Sequence, residues 1–194
     1  MEPSAIHEKL TGTFGDKIVS VDLEAASPFA VVATDAIAEV AAFCKEEGDL
    51  ALDNLMCLSG VDYPGEDPPR MEVVYHILSY THHHTFALKV HVGRENPAVP
   101  TVEGVWGVAN FHERECWDMF GIVFTGHSDM RRILLPDDWE GYPLRKDWED
   151  PDHYNGMHVK PTEQMADRAL GGEQIGVGPF EFDPPNAHVK ADDE

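Results

Sequence analysis

Two alternating segments stand out along the chain. Arg70–Tyr80 and Thr85–Val92 read as the two strands of a hairpin, and in the second Phe86, Leu88, Val90 and Val92 share one face opposite Ala87, Lys89 and His91. Lys17–Leu23 and Phe29–Val32 predict two further strands about a turn at Ser27-Pro28. Thr34 is placed to cap a helix in which Ile37, Val40, Ala41 and Cys44 recur at helical spacing, with Gly48 just past its end. Leu52, Leu55, Met56 and Leu58 form a short apolar segment that fits either type, and Asp62-Tyr63-Pro64-Gly65 with Asp67-Pro68-Pro69 reads as a loop. Thr101 then caps an expected helix reaching Phe120, with Val105, Val108, Ala109, His112, Cys116, Met119 and Phe120 on one side. Gly107 weakens that helix and Gly121 stops it.

The stretch to Trp148 has no regular period but is dense in aromatic and turn residues. From Glu149 the composition changes: Gly171-Gly172, Gly176, Gly178, Pro179 and Pro184-Pro185 sit among acidic residues. Residues 1–148 therefore read as one domain, and 149–194 as an extended acidic, Gly/Pro-rich tail with Phe180 and Phe182 as anchors onto another surface.

Charge narrows the function classes. The 194 residues carry 36 acidic and 14 basic side chains, a net charge of −22. Phosphate binding needs clustered Lys and Arg, so nucleic acid is excluded as a partner, and adhesion to anionic lipid is disfavoured. No run of about 18 apolar residues offers a membrane span, and Met1-Glu2-Pro3-Ser4-Ala5 lacks the basic start of a secretion signal. Cys44, Cys57 and Cys116, odd in number and widely spaced, suit reduced thiols in a cytosolic setting.

The charge is also uneven. Residues 1–50 hold 3 basic and 10 acidic side chains, whereas 113–148 hold 5 and 8. There Glu113, Arg114, Glu115, Asp118, Asp129, Arg131, Arg132, Arg145, Lys146 and Asp147 alternate with Trp117, Met119, Phe120, Ile122, Phe124, Ile133, Leu134, Leu135, Trp139 and Trp148. A solvated face would not interleave charges with such bulk; an interface or a buried network would. His112-Glu113-Arg114-Glu115-Cys116 imitates a zinc-protease helix, but its second ligand position is a cysteine and no third ligand is evident. His82-His83-His84 falls at the expected hairpin turn, and no nucleotide-binding, acyl-transfer or C-x-x-C motif occurs. The residues alone point to a non-catalytic assembly subunit.

The same stretch resembles a known family. Glu113-Arg114-Glu115-Cys116-Trp117-Asp118-Met119-Phe120-Gly121-Ile122, then Gly126-His127-Ser128-Asp129-Met130-Arg131-Arg132-Ile133-Leu134-Leu135-Pro136, are similar to the signature of the 30-kilodalton subunit of respiratory complex I, the NADH–quinone oxidoreductase. Asp138-Trp139-Glu140-Gly141-Tyr142-Pro143-Leu144-Arg145-Lys146-Asp147 continues the likeness, with Val61-Asp62-Tyr63-Pro64 and Glu72-Val73-Val74-Tyr75-His76 upstream. It covers residues 15–148. Phe111, Cys116, Ser128 and Tyr142 depart from the family's usual residues without removing a paired charge.

The resemblance implies an α+β fold: a mixed, largely antiparallel sheet flanked by helices, with an irregular C-terminal extension. It implies a peripheral-arm subunit on the cytoplasmic face of the bacterial inner membrane, without lipid insertion. The partners would be the 49-kilodalton subunit and the subunit holding the terminal 4Fe-4S cluster. No metal or cofactor is expected on this chain; FMN, iron–sulfur clusters and quinone would sit in its partners. Two alternatives stay open: an equivalent subunit of a membrane-bound hydrogenase or ferredoxin-linked complex, and a stand-alone metalloenzyme using His112, Cys116 and Glu113.

Overall fold

A computed structural model describes residues 1–158 of the chain, which divides into two units, Met1–Glu149 and Asp150–Glu194. The first unit begins with α1 (Pro3–Phe14), β1 (Ile18–Asp22), β2 (Phe29–Val32) and α2 (Ile37–Glu46). It continues with β3 (Asn54–Tyr63), β4 (Arg70–Ser79), β5 (His84–Gly93), β6 (Ala98–Pro100), α3 (Ala109–Phe120) and β7 (Val123–Thr125). The main sheet has the order β1-β2-β5-β4-β3, antiparallel throughout except for the parallel β2/β5 pair. This is the expected α+β, mixed and largely antiparallel sheet.

The hairpin β4/β5 runs in unbroken register from Arg70↔Gly93 to Ser79↔His84. Met71, Val73, Tyr75 and Ile77 line up beside Phe86, Leu88, Val90 and Val92, and this face joins Ile6, Leu10, Ile37, Val40, Ala41 and Cys44 in one core. Each fully buried aliphatic side chain there stabilises the fold by roughly 1.5–3 kcal/mol. On the opposite face Glu72 is buried and paired with Lys89 and His91, each at 3.0 Å.

Four elements differ from the sequence reading. Helix α1 has no counterpart in it, because only Ile6 and Leu10 of its twelve residues are buried, one turn apart, and two positions make no apolar stripe. Proline near its start and Gly15 at φ 53° after its end mark its limits. Thr34 makes no side-chain cap; its hydroxyl donates to the His91 carbonyl at 3.1 Å, and a 3₁₀ turn leads into α2. The ambiguous segment at Leu52–Leu58 is mostly strand, and β3 runs on through Asp62 and Tyr63 in place of the expected loop.

The fourth difference is α3, which starts at Ala109 rather than after Thr101. Residues 101–108 form turns, with Val105 and Trp106 amides both bonded to the Val102 carbonyl and the Trp106 indole donating to Leu52 O at 3.1 Å. Gly104 and Gly107 make a helix costly there. The short parallel pair β6/β7 brackets α3, which serves as its crossover.

Helix α3 lies on β3, and Gly60 lets it do so: a Cβ at that position would meet the Phe120 ring at 2.7 Å and the Cys116 sulfur at 2.9 Å. Gly121 ends the helix in the left-handed region at φ 76°, with its amide bonded to Trp117 O, in agreement with the stop expected there.

Within the second unit, β8 (His153–Tyr154) and β9 (Met157–His158) form a small antiparallel ribbon about Asn155-Gly156, both at positive φ. Asn-Gly is the strongest short hairpin signal, so this start of the expected tail is ordered locally. Phe180 and Phe182, the expected anchors, lie outside the described residues.

Candidate functional site

Six of the twelve residues of α3 are buried, and three of them are charged: Glu113, Arg114 and Asp118. Each is satisfied in a different way. Asp118 Oδ1 accepts from Arg132 Nη1 at 2.6 Å, and Oδ2 accepts the successive amides of Ile133, Leu134 and Leu135 at 3.1, 2.9 and 2.9 Å. Burial pushes this carboxyl up, but the amides of Leu135 and Leu134, the Arg132 guanidinium and the Ile133 amide outweigh it and hold it below the usual range. Arg132 also donates through Nη2 to Trp139 O at 2.7 Å and lies over the Trp117 ring. One buried carboxylate thereby shapes a loop that has no secondary structure of its own.

Arg114, by contrast, binds no carboxylate among the described residues. Its Nε and Nη2 donate to the carbonyls of Arg131 and Arg132 at 3.2 and 3.1 Å, so it grips the same loop by its backbone. Arg145 Nε donates to Phe120 O at 2.7 Å, satisfying an orphan carbonyl at the end of α3. Leu144 N–H reaches Met119 O, and thus residues 142–148 are fixed to the same helix end.

Glu113 is fully buried and accepts from Thr101 Oγ1 at 2.5 Å and the Val102 amide at 2.7 Å. Burial raises its carboxyl above the usual range despite those bonds and the nearby His127. His127 accepts the Asp129 amide on Nδ1 at 3.0 Å, which leaves its proton on Nε2, directed at Asn110 O at 3.1 Å. Glu103 joins in, accepting from Asn110 Nδ2, Ser128 N–H and Ser128 Oγ at 2.9, 2.8 and 3.0 Å.

Of the charges named from sequence, Glu113, Arg114, Asp118, Arg132 and Arg145 therefore converge on α3 and its flanking loops. Asp129 and Arg131 pair with one another at the surface at 2.9 Å. Asp147 bonds Arg94 at 2.5 Å, and Arg94 also forks onto buried Asp62 at 2.8 and 3.1 Å. Glu115 is exposed and makes no hydrogen bond or ion pair with the described residues. Sequence reasoning missed Asp62, Arg94, Thr101, Glu103 and His127. Asp62 reads as a loop residue and Thr101 as a cap, and Arg94 lies 32 residues from its carboxylate.

The metalloenzyme constellation is not assembled. Glu113 faces Thr101 and Val102, while His112 and Cys116 line a cleft between α3 and β3. Burial pushes the Cys116 thiol well above its ordinary range, away from the thiolate a metal would need. Among the described residues no three His, Cys, Asp or Glu side chains converge as a metal site. The histidine turn also differs from a simple exposed one: His84 is buried and stacks on His82.

Outward, the loop held by Asp118 shows apolar side chains to solvent. Leu134 is 61% exposed and Ile133 36%, and Phe111 on α3 is 58% exposed. Arg132 is turned in toward Asp118 while Ile133 and Leu134 beside it face out, so the loop carries apolar side chains among its exposed charges.

Residues 30–154 match the family described as respiratory-chain NADH dehydrogenase, 30 Kd subunit. The chain belongs to this family. The match runs past Trp148, where the motif likeness of 15–148 ends, into the ribbon of the second unit. The corresponding NADH-quinone oxidoreductase subunit of Chloroherpeton thalassium is 47% identical over 148 residues, 75% of this chain and 60% of that protein. Its counterpart in Roseiflexus sp. is 44% identical over 147 residues, 76% of this chain and 84% of that protein.

Solved structures share the fold of this chain as well. A trypsin-resistant fragment of Nqo5 aligns with TM-score 0.56 at 30% identity, covering 66% of this chain and 99% of the fragment. A chain of an archaeal respiratory membrane complex, the membrane-bound sulfane sulfur reductase, shares the fold at TM-score 0.65 and 22% identity, over 77% of this chain and 86% of that one. As a member of the family, the chain is a subunit of a multi-subunit respiratory complex. None of its described helices is long and apolar enough to cross a membrane.

Proposed function

We propose that the chain is a non-catalytic core subunit of the peripheral arm of a proton-translocating NADH:quinone oxidoreductase. It holds the quinone-reducing module in register while electrons pass from NADH through FMN and iron–sulfur clusters of other subunits to quinone. Its neighbours on this reading are the 49-kilodalton subunit and the subunit holding the terminal 4Fe-4S cluster. Its place is the cytoplasmic face of the bacterial inner membrane, reached through those neighbours.

The observation that carries this reading is the Asp118 loop. A buried carboxylate, one arginine and three backbone amides are committed to shaping a segment whose Leu134 faces outward. A rigid loop with exposed apolar side chains suits docking. Positional rigidity in turn matters for electron carriers' neighbours, because small displacements of reacting groups are costly in rate.

The test is an affinity pull-down of the tagged chain from detergent-solubilised membranes. The two named neighbours are expected to accompany it, and Arg132→Ala is expected to reduce the amount of assembled complex. If assembly and quinone reductase activity both match the unaltered protein, the assignment fails.

A further inference from the structure

Strand β3 ends the sheet, and its outer side carries no neighbouring strand among the described residues. It is ten residues long, Asn-Leu-Met-Cys-Leu-Ser-Gly-Val-Asp-Tyr, so alternate backbone N–H and C=O groups along roughly 33 Å face outward. Soluble proteins protect such edges with Lys, Pro, inward charges or short strands. This edge has no Lys and no Pro, its single charge (Asp62) is occupied by Arg94, and its only irregularity is the bulge between Leu55 and Cys57. The opposite edge, β1, is half as long, with five residues.

Beside the open edge runs a cleft of about 430 Å³, lined by β3 residues 57–60, by Met119 and Phe120 of α3, and by Leu144. Leu144 is 52% exposed on its rim. Cys116 and two polar side chains of α3, His112 and Glu115, complete the lining, and among the described residues no Lys or Arg takes part. Backbone groups that need a strand and apolar walls that need side chains thus lie side by side.

We propose that the outer edge of β3 accepts an extended segment of a neighbouring subunit as a sixth strand. That segment is apolar at alternate positions, filling the cleft, and carries a Lys or Arg set against Glu115. The inference rests on the reading of the chain as a subunit of a larger complex. A second copy of this chain is the wrong occupant: pairing β3 with itself would bring together two chains of net charge −22 and two Glu115 carboxylates. Addition of a strand would satisfy the exposed ladder by main-chain bonds, with the cleft selecting side chains.

Hydrogen exchange of residues 54–63, measured in the isolated full chain and in the purified complex, tests this directly. One alternate set of β3 amides is expected to exchange freely in the isolated chain and to slow by about 100-fold or more in the complex. Glu115→Lys is expected to lower retention of the chain in the complex by about tenfold, while Val19→Glu on the exposed opposite edge leaves retention unchanged. If those amides exchange equally fast in both states while the chain is retained, the strand is refuted and the subunit assignment stands. Protection that appears in the isolated chain as its concentration rises would install a second copy and overturn the proposal. Absence of the chain from the complex would defeat the functional reading and this inference together.

Discussion

Arg132 meets Asp118 at 2.6 Å, and on its other side that carboxylate receives the backbone amides of the three residues that follow the arginine. A helix and an irregular loop are joined by one side chain acting as ion-pair partner and as acceptor for a backbone turn. Loops that must keep a shape without secondary structure need such a centre, since their own backbone bonds are few.

Removing the centre is expected to be severe. Asp118→Ala leaves Arg132 without its carboxylate and three amides without an acceptor, a loss of about 3–5 kcal/mol. Urea denaturation of the full chain measures it; a change under about 1 kcal/mol would mean that water replaces the carboxylate.

The Arg94 fork separates a buried from an exposed partner. Arg94→Ala leaves the buried Asp62 carboxylate with the Lys146 amide but no counter-charge, and is expected to cost about 2–4 kcal/mol. Asp147→Asn removes only the exposed partner, 62% accessible, and is expected to cost less than about 1 kcal/mol. Denaturation midpoints of the two variants decide between them.

Gly60→Ala tests the contact between α3 and β3. The added methyl would sit 2.7 Å from the Phe120 ring and 2.9 Å from the Cys116 sulfur, so those side chains or the helix that carries them must shift. Overpacking of this kind costs about 1–3 kcal/mol, visible as a lowered thermal midpoint.

Acid is expected to act in two opposing directions. Asp118 and Asp62 are held below the ordinary carboxylate range, so their stabilisation is full above about pH 4, the unfolded value, and is lost as pH falls through their folded values. Glu113 is raised, so its ionised form weakens the fold above its folded pKa, and this cost is relieved as pH drops through that value. Denaturation midpoints of Glu113→Gln across about pH 3–7 should lose the mild gain on acidification and keep the collapse at lower pH. An unchanged profile would show that Glu113 does not titrate separately from unfolding.

The sheet was legible where side chains alternate without interruption. Phe86, Leu88, Val90 and Val92 announced β5, and the same period holds in the observed register with β4. It failed at β3, where Gly60 and Asp62 occupy core-facing positions for reasons that lie in α3 and in Arg94. A glycine needed for close approach and an acid needed for a distant arginine both look like loop residues in one dimension. The charged stretch 113–148 is recognisable as unusual because its charges alternate with large apolar groups. Its pairings are not, since Arg114 takes carbonyls rather than an acid and Glu113 takes a threonine and an amide.

By itself, the sequence determined the hairpin, the place of α2, the stop of α3 at Gly121 and the family, because each depends on local period, turn chemistry or an ordered string of residues. The tertiary structure alone decided which charges are buried, which of them meet, and which strand is left at the edge of the sheet. Those outcomes depend on residues tens of positions apart being brought within about 3 Å, where desolvation makes an unmet charge costly. No local pattern along the chain records that distance.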